Sequence, residues 1–177
     1  MDKPSAKLLG LGLRHRILAH ALCFALAFTF TSGCSKPKDV TNDLGFGNFN
    51  SVLGIWKTKV PLRLVETEKT TYLIYGEQYT HGIELALLPV GTGIRVEHLI
   101  YRDSFETSYL DVTGSIVNGK YFEKSVHIDD RLFMPAVLPS GTNKGTMTQY
   151  YSVWNGHDYP KPDWAAAPDK LERVTPE

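Results

Sequence analysis

The stretch "ETSYLDVTGSIVNGKYFEKSVHI", residues 106–128, decides the fold. Leu110, Val112, Gly114 and Ile116 recur at every second position with polar residues between them, which is the period of a half-buried strand. Asn118-Gly119 follows, and both central positions of a type I′ hairpin turn favour residues that accept positive φ. Phe122, Val126 and Ile128 then share one side of a predicted returning strand, which ends at Asp129-Asp130.

The same signal extends upstream. "IRVEHLIYRD" (94–103) predicts a strand with Ile94, Val96, His98 and Ile100 on one face. "IELALLPVGTG" (83–93) fits a strand or a helical turn and ends at Pro89 and the Gly91–Gly93 pair. "TTYLIYG" (70–76) is β-branched and aromatic. In "IWKTKVPLRLVE" (55–66), Pro61 makes the middle a bend or an edge. Downstream, "SGTNKGTMTQYYSVW" (140–154) reads as a Gly-rich turn and a closing strand. These segments predict one all-β domain over 52–155, a small barrel or β-sandwich of five to seven strands. A Pro-rich tail at 156–177 is expected to pack loosely, with a helical turn near Asp169–Arg173.

"VPLRL", "LLPVGTGIRVEHL" and the later "NGK" resemble bacterial SH3-like domains over about Thr58 to Ile128. The resemblance implies a small SH3-like barrel. The Gly-Trp pair that follows the Asn-Gly turn in that family is absent, and Tyr121 and Phe122 occupy the region.

The first 33 residues are of a different kind. Lys3, Lys7, Arg14 and Arg16 precede an apolar run from Ile17 to Phe30, 14 residues long. That is short of the ~20 needed to span a bilayer and suits a signal peptide. Thr31-Ser32-Gly33-Cys34 resembles the lipobox of bacterial lipoproteins, with Thr31 where the family usually places leucine. The resemblance implies cleavage before Cys34, attachment of lipid to Cys34, and anchorage in the cell envelope. Ser35 resembles the second residue of lipoproteins passed on to the outer membrane, which implies a domain facing the periplasm. Residues 34–51 are polar, rich in Gly and Asn, and read as a flexible tether in which Phe46 and Phe49 are merely tolerated.

The chain has 177 residues, with 19 basic and 19 acidic side chains. Removal of the leader leaves 15 basic against 18 acidic residues, a mildly acidic body with no electrostatic case for nucleic acid. Cys34 would be its only cysteine, which excludes an internal disulfide.

Catalytic signatures are few. His81, His98, His127 and His157 show no His-x-x-x-His spacing, although neighbouring strands can bring His98 and His127 near Asp129 or Asp130. There is no Gly-x-Ser-x-Gly elbow, and "GTNKGT" (141–146) lacks phosphate-loop spacing. Glu66/Glu68 and Asp129/Asp130 are carboxylate pairs best explained as solvated turn charges. All nine tyrosines lie beyond the leader. Tyrosine gives contact area and a hydroxyl at low entropic cost, so a ligand groove of Tyr75, Tyr101 and Tyr121 is the candidate site.

The functional expectation is therefore a lipid-anchored, non-enzymatic envelope module without cofactor or metal. It would bind a peptide, peptidoglycan or another envelope protein. The alternatives are an inhibitor or immunity-type lipoprotein that blocks an enzyme or toxin and, third, a cell-wall hydrolase.

Overall fold

Alternation over residues 108–116 becomes a strand whose Leu110, Val112, Gly114 and Ile116 are buried and whose intervening residues face outward. The computed structural model describes residues 36–77, 81–103, 108–136, 147 and 162–175. In chain order the strands are β1 (Lys38–Asp39), β2 (Gly54–Thr58), β3 (Leu62–Glu66), β4 (Thr71–Ile74), β5 (Ile83–Leu88) and β6 (Gly93–Asp103). They continue as β7 (Ser108–Ile116), β8 (Ser125–Ile128), β9 (Phe133–Pro135), β10 (Trp164–Ala166) and β11 (Leu171–Arg173). The fold is all-β, with one large mixed sheet ordered β11-β2-β6-β7-β8-β4-β3-β5, β1 added on β6, and a β9-β10 pair apart. Pairing is antiparallel except between β4 and β8.

Two features of the strand reading hold: Pro61 separates β2 from β3, and the ambiguous 83–93 segment resolves as β5. The path of paired strands among the described residues is open, with β11 at one edge and β5 at the other. Among the described residues the strands do not close into an SH3-like barrel, and they number eleven rather than five to seven.

The Asn118-Gly119 turn also differs. Gly119 takes φ +76 but Asn118 does not enter the left-handed region, which a type I′ turn requires of both. The connection from β7 to β8 instead runs through a longer loop. In it Glu123 adopts φ +62 and donates its N–H to the Ile116 carbonyl at 2.8 Å. Asn118 Oδ1 accepts the Gly93 N–H at 2.8 Å, so tertiary pairing to β6 takes up the residue that would have made the tight turn. β8 is correspondingly short, and Phe122 is exposed rather than in line with Val126 and Ile128.

Residues 36–51 are not a flexible tether. β1 pairs with β6 (Lys38↔Tyr101, Asp39↔Ile100), and Val40 and Phe49 are buried in the core. The ring of Phe49 meets that of Phe133 edge-on, with centroids 6.5 Å apart. Phe46 lies against Tyr101 with centroids 4.9 Å apart. Burying one such side chain is worth about 1.5–3 kcal/mol, which together with the β1 ladder offsets part of the cost of ordering the segment.

The described part of the tail is equally integral. Trp164 is fully buried, β10 pairs with β9, and β11 pairs with β2 where a helical turn was expected. Lys36–Glu177 forms one compact unit, which moves the start of the domain from residue 52 to about residue 36. The leader, the lipobox, Cys34, the "GTNKGT" loop and nearly all of the expected closing strand lie outside the described residues.

Candidate functional site

The functional candidate grows out of an irregularity in β6. Its alternation breaks between Val96 and His98, where a β-bulge shifts the register against β7. Ile94 and Val96 face the core before the bulge and Leu99 faces it afterwards, so the expected single face of Ile94, Val96, His98 and Ile100 is not kept. Bulges re-aim side chains, and this one brings Glu97 and His98 into the same outward-facing cleft. The Glu97 carboxylate accepts the Ser115 hydroxyl at 3.2 Å on the neighbouring strand. Gly114 makes the bulge possible, because the Arg95 carbonyl occupies the place where a Cβ would stand.

Cross-strand register then builds a row across four strands. Tyr72 on β4 opposes His127 on β8, His127 opposes Thr113 on β7, and Thr113 opposes His98 on β6. With neighbouring strands ~4.8 Å apart, the two histidine backbones stand roughly 10 Å apart across Thr113. An open cleft of about 850 Å³ lies here, lined by Thr113, Ser125, His98, His127, Glu97 and the Glu66–Thr71 turn.

Each histidine carries a carboxylate. His127 Nδ1 lies 2.6 Å from Asp111 Oδ2, and the same oxygen accepts Arg102 Nε at 3.0 Å. The three side chains are only 14–32% exposed, so the network is partly desolvated and fixed in orientation. The Tyr72 ring tilts against the imidazole at 5.3 Å. Nearby, burial pushes the Tyr109 hydroxyl above its ordinary range, and Arg102 opposes that shift. His98 Nδ1 lies 2.9 Å from Asp39. Glu66 at the cleft margin is held below the usual carboxylate range, first by its hydrogen bond from Lys124 at 2.8 Å.

Asp39 ties the site to the N-terminal segment. Hydrogen bonds from the Thr41 hydroxyl (2.6 Å) and amide (2.9 Å) hold its carboxyl below the ordinary range, and His98 adds to this. The Thr41 hydroxyl oxygen in turn accepts the Leu99 N–H at 2.9 Å. A depressed carboxylate stabilises the fold above its unfolded pKa of about 3.9, and the contribution is lost as pH falls through the lower folded value. The group is half exposed, so we expect Asp39→Ala to cost less than about 1 kcal/mol near pH 6. The difference from wild type should shrink toward pH 3 in urea titrations. A gap that widens on acidification would contradict the assignment.

The sequence-predicted residues fare unevenly. Tyr75, Tyr101 and Tyr121 do not form one groove, because each packs on the core cluster with different partners. The Tyr75 ring is approached by the Arg131 guanidinium and the Lys170 ammonium, Tyr101 donates to Ser108 at 3.2 Å, and Tyr121 donates to the Leu85 carbonyl at 3.2 Å. Tyr121 instead lines a smaller cavity of about 420 Å³ near Leu87 and Val90. His98 and His127 do share the cleft, but their carboxylate partners are Asp39 and Asp111 rather than Asp129 or Asp130. Asp129 is engaged by Arg131 and by the Tyr75 N–H at 2.8 Å. Among the described residues, no three His, Cys, Asp or Glu side chains gather as a metal-ligand set.

Asp111, Arg102, Thr113 and Glu97 were not visible as site residues from sequence. The available signal was Gly114, an interior strand glycine that marks a close approach.

Chemically, the Asp111-supported imidazole can exchange a proton at Nε2, yet no described serine, threonine or cysteine hydrogen-bonds to it. No protein-family model, curated protein or solved structure matches this chain.

Proposed function

We propose that the protein is a lipid-anchored, non-catalytic binding module of the bacterial envelope. Cys34 carries the lipid, and the domain faces the periplasm from the outer membrane. Its ligand is a cell-wall component seated in the cleft over β6, β7 and β8. The observation that supports this reading is the lining: hydroxyls of Thr67, Thr70, Thr71, Thr113 and Ser125 together with Lys69, two imidazoles and the carboxylates of Glu66, Glu68 and Glu97. Such groups match the hydroxyls, carboxylates and amines of wall glycan and its peptide stems, and they are held in place by the sheet beneath. A site of this size accommodates a ligand of a few sugar or amino-acid units.

Co-sedimentation with purified wall sacculi tests the reading. Ser125 is exposed on the cleft rim, so Ser125→Trp should fill the cleft without unfolding the sheet. We expect binding to fall about tenfold, the cost of one or two lost hydrogen bonds. Equal sedimentation of wild type and variant, or none by either, removes the wall component from the proposal.

An inhibitor-type role is the second reading. It is favoured by the exposed Leu87, Val90 and Phe122, which suit a protein partner better than a glycan. A tight stoichiometric complex lost in Val90→Asp but kept in Ser125→Trp would select it.

A further inference from the structure

We infer that the lipid anchor sets the polarity of the domain on the membrane. The end carrying β1 and Leu44 rests at the bilayer headgroups, and the loops around Val90 and Phe122 are presented away from it. The inference rests on Cys34 as the lipid site.

Its basis is the length of chain left free. Lys38 is already paired with Tyr101 in the sheet, four residues after Cys34. Four residues span at most about 14 Å. Tyr101 lies near the C-terminal end of β6, whereas the loops at 89–92 and 117–124 adjoin Gly93 at its start. The eight residue steps between Gly93 and Tyr101 cover about 25 Å, more than the linker can reach. An inverted domain is therefore excluded by covalent length alone.

The near end is suited to the contact. Leu44 stands 62% exposed at the tip of the short 3-10 turn Leu44–Phe46, beside Lys38, whose ammonium lies over the Phe46 ring. Several charges here are already partnered, Lys38 with Asp43, Asp39 with His98, and Arg102 with Asp111, while Lys36 is exposed. The occupant is thus a bilayer surface contacted through an apolar side chain, with the covalent anchor rather than charge holding the domain there. At the far end Leu87, Val90 and Phe122 remain open to a partner.

Lys36–Glu177 is a compact unit with its own core, so the chain from Cys34 onward serves for the test. It is coupled through the Cys34 thiol to maleimide-bearing lipid in phosphatidylcholine vesicles. A photo-crosslinking p-benzoylphenylalanine replaces Leu44, Val90 or Phe122 in separate variants. Lipid adducts are expected from position 44, unchanged in high salt, and from neither distal position above the uncoupled background. Equal yields at both ends, or adducts from position 44 that vanish in high salt, overturn the inference. Fatty-acid labelling in cells is read separately. Label that persists in Cys34→Ser would remove the anchor assignment and leave the vesicle result standing on its own.

Discussion

Replacing Gly114 with alanine should lower the unfolding free energy by about 3 kcal/mol or more, the upper range of overpacking costs. A Cβ built on Gly114 falls 1.9 Å from the Arg95 carbonyl oxygen and 2.9 Å from its carbon. The obstacle is backbone, so no rotamer change relieves it. A second contact, at 3.1 Å, is with Ile128 Cδ1 in the core. β7 is paired on both sides, with β6 at Val96 and β8 at Val126, and cannot withdraw without breaking a ladder. The remaining escape is to undo the bulge between Val96 and His98, which would move Glu97 and His98 out of the cleft. Urea unfolding should therefore show the loss in stability. Binding by the folded fraction should fall with it, because the cleft and the bulge depend on the same contact. Ser115→Ala on the adjacent outward position is the control, with a cost of about 1 kcal/mol for its bond to Glu97. If Gly114→Ala costs no more than that, the close approach of Arg95 to β7 is wrong.

The parts of the fold carried by period-2 alternation were legible. β7 reads directly from Leu110, Val112, Gly114 and Ile116, and Pro61 marks the break between β2 and β3. What escaped was everything that depends on register. Asp111 meets His127 only because β7 and β8 pair in the register that sets Thr113 opposite His127, and spacing along one strand does not contain that information. The bulge in β6 reverses which residues face outward beyond Val96, so a uniform alternation misassigned His98's face. The Asn-Gly pair failed for a related reason. Its local preference for a tight turn competes with a hydrogen bond from Gly93, and the loop yields to the tertiary contact.

Composition misled at both ends of the domain. Residues 36–51 are polar and aperiodic, so Phe46 and Phe49 looked incidental. Phe49 is buried and Phe46 packs on Tyr101 because irregular segments fill gaps at the rim of a sheet, where no helical or strand period applies. The tyrosines misled differently, since their partly apolar rings serve the core while their hydroxyls satisfy nearby polar groups.

Trp164→Ala is the second substitution expected to have a large effect, with a loss of about 3–5 kcal/mol. Trp164 is fully buried, and its indole N–H donates to the Phe46 carbonyl at 2.9 Å. Its backbone N–H donates to the Asn48 carbonyl at 2.9 Å, and its own carbonyl accepts the Ser51 hydroxyl. One residue near the C-terminus thus holds three points of a segment more than 110 positions earlier. Gly47, at φ +95, lets that segment pass closely, because a Cβ there would lie 2.7 Å from the indole nitrogen. Removing the ring leaves a cavity and takes the indole donor away from the Phe46 carbonyl in the same place. Trp164→Phe keeps most of the volume and should cost only about 1–2 kcal/mol, separating packing from hydrogen bonding. Amide exchange locates the damage: in Trp164→Phe, protection of the Asn48 amide, which bonds to the Pro162 carbonyl at 2.9 Å, should fall before that of β7. A small cost for Trp164→Ala, below about 2 kcal/mol, would mean the N-terminal segment is held by β1 alone. With Trp164 in place, the chain is committed to the domain from Lys38 onward. If Cys34 carries the lipid as proposed, only three residues separate it from Lys38, and the segment that follows is held by a contact made at the other end of the sequence.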